Sequence, residues 1–189
     1  MISKGLDFEN LTVVGALNAD NLLHFPDFRA HEKSFQSLEQ VSGRAGRRKN
    51  QGKVVIQTSD PLNTIIRLVI RHDYEGMFKT QIEERNTFNY PPFCRIIKIS
   101  VKHKDLNLLN HYSELLGTEL KKLFNKRVLG PEAPVISRAQ LWYIKTIMIK
   151  IEKDKSLTKA KQLISGAIEK VEKEKKAYAL RIAVDVDPY

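Results

Sequence analysis

One stretch of this sequence is suited to bind a phosphate group, because it contains two arginines three positions apart. Arg44 and Arg47 lie within "QVSGRAGRRKN", residues 40–50, where small residues separate them. Side chains three apart near a helix end can point the same way, so both guanidinium groups could bind one phosphate. Gln40 lies one turn earlier as a neutral donor, and Gly43 lets a large anion approach the backbone. The alternative is a solvated loop after a helix, and this stretch alone leaves both open.

Aromatic and basic residues occur together in a second place, in the C-terminal half of the chain. Trp142 and Tyr143 are adjacent, and Arg138, Lys145 and Lys150 lie near them in sequence. Nucleic-acid-binding surfaces combine stacking rings with cations in this way. Arg138, Trp142 and Lys145 are therefore our candidate DNA contacts. The alternative, which the pattern alone slightly favours, is that the two rings pack under a helix.

The charge of the 189-residue chain favours a polyanionic partner without identifying one, because the formal net charge is +10. Residues 1–60 carry eight basic against seven acidic residues, whereas residues 61–189 carry 24 against 15. Part of the later excess alternates in sign, as in "EKVEKEKK" at 169–176, which is typical of a solvated helix face.

Cysteine content and hydropathy exclude several classes of protein. Cys94 is the single cysteine, so the chain has no disulfide framework and no thiolate zinc site, and Cys94 itself is predicted to be a small buried residue. The sequence contains no apolar run of membrane length and no signal-peptide pattern. We therefore expect a soluble cytoplasmic protein with no membrane partner.

The elements that must position Arg44 and Arg47 are those of an α/β segment. Residues 11–17 and 53–58 are apolar runs typical of parallel strands buried on both faces. Residues 30–47 between them have helical spacing, and the helix should end near Gly43 or Gly46. Two strands and one helix cannot cover a parallel sheet, so the segment either pairs with another chain or, as we favour, belongs to a longer protein.

The next residues are predicted to be helical, and they end at a clear break. Pro61 stands at a plausible first helical position, and helical spacing continues to residue 86. The consecutive prolines of "NTFNYPPF", residues 86–93, exclude helix. We therefore predict three parts: an α/β segment at 1–60, a helical connector at 61–93 and a separate domain at 94–189.

The last part shows a regular order of elements. A strand with Ile97, Ile99 and Val101 on one face is followed by a helix over 105–124, a hairpin over 128–153, a helix from about 156 to 176 and a strand over 180–186. Strand, helix, two strands, helix, strand is the ferredoxin-like βαββαβ order. The predicted fold is thus α/β followed by α+β.

Several stretches of the sequence resemble one known family. "QVSGRAGR" matches the Q-x-x-G-R-x-G-R motif in the second RecA-like lobe of superfamily-two helicases, and residues 3–20 resemble the motif before it in the same lobe. Three kinds of segment narrow the resemblance to the replication-restart helicases: "HFPDFRAHEKSFQ" between the motifs, "GKVVIQT" after them, and "RNTFNYPPF", "VLGPEAPV" and "VDVDP" toward the C-terminus. The resemblance extends from end to end and implies a partial RecA-like lobe before the ferredoxin-like domain.

The resemblance implies roles for the residues of both motifs. In such helicases the motif arginines, here Arg44 and Arg47, stabilise charge on the terminal phosphate of ATP as arginine fingers. It also implies nucleotide contacts for Gln40, Gly43, Gly5 and Asp7, and contacts with the translocating DNA strand for Ser3 and Lys4. For Asp7 the alternative is an ordinary loop or cap aspartate.

The motifs that such helicases need for ATP binding are absent from this sequence. No G-x-x-x-x-G-K-[ST] loop is present, and the single Cys94 cannot form the zinc sites that the family has. We therefore expect the chain to be a C-terminal portion that begins within the second lobe. ATP and magnesium would bind only in the longer protein, zinc would lie outside this chain, and the chain alone should be inactive.

The resemblance also implies partners. They are forked and single-stranded DNA, the single-stranded DNA-binding protein and other primosome proteins. The implied location is the bacterial cytoplasm, near the nucleoid. An incomplete lobe with open strand edges could also self-associate. The alternatives are a stand-alone nucleic-acid-binding protein or a purely structural module.

Overall fold

The computed structural model describes residues 12–43, 52–174 and 177–188. The chain divides into two compact units, Met1–Thr87 and Phe88–Tyr189, called here the first and the second unit. Helices α3 and α4, which lie within the predicted connector, pack against α2 in the first unit.

The first unit contains two short parallel strands and several helices. Strands β1 and β2 pair in register from Val13–Lys53 to Ala16–Ile56, which confirms the two predicted parallel strands joined by a helix. The elements are β1 (Val13–Ala16), α1 (Asp20–Leu23), α2 (Ala30–Ser42), β2 (Lys53–Ile56), α3 (Thr64–Ile70) and α4 (Tyr74–Thr87).

The two strands are less buried than the sequence predicts. Ala16 and Ile56 pack on the helical core of the unit, whereas Val13 and Val55 are 55% and 57% exposed. Alternate residues of a strand point to opposite faces, so helices on one side leave the other side uncovered. The expectation of burial on both faces is therefore wrong for the described residues.

The helices of the first unit enclose one apolar core. Phe35 and Leu38 of α2 pack with Ile65 and Val69 of α3. Helix α3 begins at Thr64 rather than at Pro61, because the Asn63 side chain accepts a hydrogen bond from the Ile65 amide and caps the helix.

The second unit is an antiparallel sheet with two long helices. In chain order the elements are β3 (Cys94–His103), α5 (Leu106–Phe124), β4 (Val128–Glu132), β5 (Arg138–Ala139), β6 (Trp142–Glu152), α6 (Leu157–Glu172) and β7 (Arg181–Val186). The strands lie in the order β4-β6-β3-β7, and the short β5 pairs with β6. The predicted order of strands and helices in this part of the chain is confirmed for the longer elements, and the structure adds the two-residue β5 between β4 and β6.

The core of the second unit lies between the helices and one face of the sheet. Ile97 and Ile99 of β3 stand opposite Ile149 and Ile147 of β6, and none of the four is exposed to solvent. Both helices start at side-chain caps: Asp105 accepts from the amides of Asn107 and Leu108, and Ser156 accepts from that of Lys159.

Two glycines bring β4 close to its neighbours. Gly130 has a φ of +89°, and a Cβ added there would lie 2.7 Å from the backbone oxygen of Thr146 on β6. A Cβ on Gly117 of α5 would lie 2.9 Å from Pro131. The stretch "VLGPEAPV" therefore contains residues required for close packing between the helix and the sheet.

Candidate nucleic-acid interface

The sheet of the second unit has two faces of different chemistry. Helices α5 and α6 cover the face that carries Ile97, Ile99, Ile147 and Ile149. Since neighbouring residues of a strand alternate, the opposite face is the one that these helices leave uncovered. We call this face, apart from its end at Ile96 and Lys150, the open face. Its residues from the three longer strands are Lys98, Ser100, Lys102, Trp142, Ile144, Thr146, Met148, Arg181, Ala183 and Asp185.

Two lysines on the open face have different partners on strand β7. Lys98 stands directly opposite Asp185, so this pair combines opposite charges. Lys102 stands directly opposite Arg181, so this pair combines like charges. Positive charge is therefore compensated at one end of the β3–β7 pair and concentrated at the other.

A groove lies at the end of the open face where positive charge is concentrated. It has a volume of about 450 Å³ and is lined by Trp142, Lys102, Arg181 and Gln140, among others. The Arg181 guanidinium carbon lies 4.2 Å from the centre of the Trp142 ring, and the Lys104 nitrogen lies 5.5 Å from it. Among the described residues that line this groove, none is acidic.

The three sequence-predicted DNA contacts do not lie together. Trp142 is on the open face, whereas Lys145 stands opposite the buried Val101 on the face that the helices cover. The Lys145 side chain is 19% exposed, and its nitrogen lies 3.7 Å from a Glu114 carboxylate oxygen. The Arg138 guanidinium carbon lies 4.9 Å from the ring centre of Tyr143, its directly opposite residue on β6.

The two adjacent aromatic rings lie on opposite faces of the sheet. Tyr143 packs partly against the core beneath the helices, as the alternative reading proposed. Trp142 does not, because it precedes Tyr143 by one residue and so points to the other face.

The far end of the sheet is closed by the segment that leads into β3. The Lys150 ammonium group lies 3.6 Å from the centre of the Tyr90 ring and donates a 2.8 Å hydrogen bond to the Phe88 carbonyl. Burial lowers the pKa of Lys150 and raises the pKa of the Cys94 thiol beside it. Cys94 is buried and free, as predicted, and its sulfur contacts the Asn89 carbonyl.

Two of the predicted nucleotide-contacting residues lie at the end of α2. Gln40 is exposed in the last turn, and Gly43 follows the helix with φ −66° and ψ −3°. Any residue adopts these angles, and a Cβ added at Gly43 would make only an ordinary 3.6 Å contact with the Glu39 carbonyl oxygen. The backbone therefore does not require glycine here. The other candidates of the two helicase motifs, Ser3, Lys4, Gly5, Asp7, Arg44 and Arg47, lie outside the described residues.

The described residues contain neither a candidate metal site nor a candidate membrane span. Across 12–43, 52–174 and 177–188, histidine, cysteine and acidic side chains form no group of three or more that could hold a metal ion. No helix in those ranges combines the length and the apolar character needed to cross a membrane.

Sequence reasoning missed Lys102, Lys104 and Arg181. The signal was present, because Lys98, Lys102 and Lys104 all have the parity opposite to that of the buried Ile97 and Ile99. Arg181 could not have been placed beside them, because the register of β7 on β3 is a long-range property.

Comparison with known proteins assigns this two-unit α/β chain to a family. Residues 86–189 match the family model described as "Primosomal protein N C-terminal domain". The replication restart protein PriA of Bacillus subtilis is 37% identical over the whole chain, which spans 23% of that relative. Its namesakes in Haemophilus influenzae and Borreliella burgdorferi are 32% and 30% identical over the whole chain, which spans 25% and 28% of them.

Residues 86–189 thus belong to the class of primosomal protein N C-terminal domains. The chain belongs to the replication restart protein PriA family. It spans about a quarter of the length of these relatives.

Proposed function

We propose that this chain is the C-terminal part of an ATP-dependent DNA helicase that acts in primosome assembly and replication restart at stalled forks. The observation that carries the proposal is similarity over the whole chain, at 30–37% identity, to proteins named for replication restart. In this proposal the first unit is part of a second RecA-like lobe, and the second unit is a ferredoxin-like domain that holds DNA. The sheet order β4-β6-β3-β7 supports the second assignment.

The proposed role of the first unit is to complete a nucleotide site whose ATP and magnesium are bound by the rest of the helicase. Arg44 and Arg47 would stabilise charge on the terminal phosphate, with Gln40 at the edge of the nucleotide. Gln40 is exposed, and the backbone at residue 43 does not itself require glycine. Both observations support a contact between this end of α2 and a part of the helicase outside this chain. The chain by itself should hydrolyse no ATP.

The arginine role is tested in the full-length helicase. Arg44→Ala and Arg47→Ala should each lower DNA-stimulated ATP hydrolysis, by roughly a thousandfold for the dominant arginine, and leave DNA affinity within about twofold. Lys53→Ala, at the exposed start of β2, is the matched charge control. Unchanged hydrolysis in both arginine variants would overturn the arginine-finger role.

The proposed role of the second unit is to contact DNA. The net charge of +9 over residues 61–189 and the basic end of the open face support it. Fluorescence anisotropy of the 189-residue chain with a labelled fork and a labelled single strand, across a salt series, is the test. We expect binding that weakens steeply with salt, because phosphate contacts release counterions. Absence of binding at low salt would assign this unit to scaffolding or protein contacts.

The proposed partners and location follow from the same family membership. They are the single-stranded DNA-binding protein and other primosome proteins, in the bacterial cytoplasm near the nucleoid. Self-association through the two-stranded sheet stays a prediction that the exposed Val13 and Val55 support. Sedimentation velocity of the chain over a concentration series would decide it, and a monomer throughout would contradict it.

A further inference from the structure

The groove beside Trp142 has features that the general proposal of DNA contact does not explain. Lys102 and Arg181 stand directly opposite each other on neighbouring strands, and like charges in that arrangement destabilise a sheet. The same two strands carry a compensated pair four residues away, at Lys98 and Asp185. An anion bound between Lys102 and Arg181 would remove the repulsion, so the arrangement fits a site for a negatively charged ligand.

The chemistry of the groove restricts the anion further. Trp142 supplies an aromatic ring and Arg181 a planar cation 4.2 Å from its centre, and nucleobases stack on both kinds of surface. Lys104 adds a cation 5.5 Å from the same ring. A ligand that places a flat ring next to a phosphate would use all of these groups, and a nucleotide has this composition.

The size of the groove indicates which form of nucleic acid enters. A volume of about 450 Å³ is in the range of pockets that hold one small organic molecule. Bases are accessible for stacking only where they are unpaired, and an uncovered antiparallel sheet face is a known platform for single strands. A duplex could touch the lysines through its phosphates but could not place a base in the groove.

We propose that the groove formed by Trp142, Lys102, Lys104 and Arg181 binds single-stranded nucleic acid, one base stacking at Trp142 and Arg181 and the adjoining phosphates contacting the lysines. This inference rests on the proposed DNA contact of the second unit and gives it a location, a strand form and named residues. It moves the predicted contact from Lys145, on the other face of the sheet, to Lys102 and Arg181.

Trp142 makes the test direct, because it is the single tryptophan of the chain. Intrinsic fluorescence of the 189-residue chain is measured on titration with an oligothymidylate of about 12 nucleotides. A parallel anisotropy titration with a labelled copy of the same strand measures binding wherever it occurs. We expect saturable quenching of the tryptophan, with the same midpoint in both titrations.

The variants separate the site from general charge. Trp142→Ala should weaken binding roughly tenfold or more, and Trp142→Phe should retain much of the affinity. Lys102→Ala should weaken binding and lower the salt slope by about 0.7 for one lost phosphate contact. Lys121→Ala removes an exposed charge from helix α5 and should leave affinity within about twofold.

Reversing the charge at Lys102 separates an effect on binding from an effect on folding. Lys102→Glu places a carboxylate opposite Arg181, so it should raise the melting temperature of the second unit while weakening oligothymidylate binding more than Lys102→Ala does. Lys98→Glu places a carboxylate opposite Asp185 and should lower the melting temperature instead. We expect a simultaneous gain in stability and loss of binding for Lys102→Glu and not for Lys98→Glu, because only the first substitution removes a like-charge pair.

The remaining outcomes overturn the proposal in distinguishable ways. Binding that is seen by anisotropy without tryptophan quenching, and that substitutions of Lys102 and Arg181 do not weaken, would place the DNA elsewhere. It would leave the proposed function intact. Equal quenching by a duplex of the same length would refute the single-strand assignment. Equal quenching by poly-glutamate would assign the groove to an acidic peptide. Failure to bind any DNA at low salt would remove both this site and the proposed DNA contact.

Discussion

Asp187 and Ile96 are joined by two hydrogen bonds that continue the β3–β7 pairing beyond the last strand residue. The Asp187 amide donates to the Ile96 carbonyl at 2.7 Å, and the Ile96 amide donates to the Asp187 carboxylate at 3.1 Å. Ile96 is 2% exposed, and Asp187 has a positive φ of 52°. The side chain thus replaces a backbone acceptor, which gives the terminal "VDVDP" a structural role.

Removal of the Asp187 carboxylate should destabilise the second unit. Asp187→Ala leaves a buried amide without its acceptor, which costs about 1–3 kcal/mol, and it places alanine at a positive φ. Asp187→Asn keeps an oxygen acceptor and tolerates that φ, so its cost should be smaller. Urea unfolding followed by Trp142 fluorescence measures the free energy of this unit. Asp185→Ala is the charge control, and an equal effect of Asp185→Ala and Asp187→Ala would refute the role.

Gly130 should be the glycine of this chain least tolerant of alanine among those that the structure describes. Gly130→Ala combines a positive φ with a Cβ 2.7 Å from the Thr146 oxygen, so we expect a loss of about 2 kcal/mol or more. Gly166→Ala in helix α6 is the matched control, because nothing lies within 4 Å of its added Cβ. That variant should gain up to about 1 kcal/mol from helix propensity. A neutral Gly130→Ala in the same urea experiment would contradict the described turn.

The Asp20 carboxylate should make the stability of the first unit depend on pH. Hydrogen bonds from the Thr58 hydroxyl and from Ser59 lower the pKa of Asp20 from 3.8 to about 2. A carboxylate with a lowered folded pKa stabilises the fold above its unfolded pKa, and this stabilisation is lost as the pH falls from about 3.8 toward 2. Asp20→Asn should therefore lower the melting temperature more at pH 7 than at pH 2.5.

The measurement for Asp20 is thermal unfolding by circular dichroism, with Trp142 fluorescence as a separate record of the second unit. Thr58→Val removes the main donor and should reproduce part of the same pH dependence. A melting-temperature difference that is constant from pH 7 to pH 2.5 would show that Asp20 acts without its charge.

Gly43→Ala should separate folding from function. The backbone angles and the 3.6 Å contact at this position suit alanine, so the stability of the first unit should change by less than about 0.5 kcal/mol. If the glycine serves the approach of a nucleotide or of another lobe, as the proposed helicase function requires, ATP hydrolysis by the full-length protein should fall in the same variant. A clear loss of stability in the 189-residue chain would indicate a structural reason for the glycine.

Local patterns were sufficient to predict most elements of the second unit. Alternation at Ile97, Ile99 and Ile147 specifies which face of each strand is buried, and Asp105 marks the start of α5. These signals are local, so periodicity and capping reveal them. In the first unit the same reasoning overestimated the burial of Val55. An apolar run does not show whether helices cover one face of the sheet or both.

The candidate interface was only partly predictable. Trp142 was found from its residue type, but its separation from Lys145 depends on the side of the sheet that each residue faces. Arg181 joins Lys102 only through pairing of strands almost eighty positions apart, which no local pattern encodes. Charge clusters in a sequence therefore need strand parity and register before they define a surface.

The hydrogen bonds between Asp187 and Ile96 have a practical consequence for surface immobilisation and for fluorescence labelling. Lys102 lies six residues after Ile96, a distance of about 20 Å along β3. A biotin tether or an acceptor dye joined to the C-terminus would therefore start from the end of the sheet remote from Trp142. Immobilisation through that terminus should leave the groove accessible to an oligonucleotide. Energy transfer to an acceptor dye there would report the distance of a labelled strand end from the C-terminus.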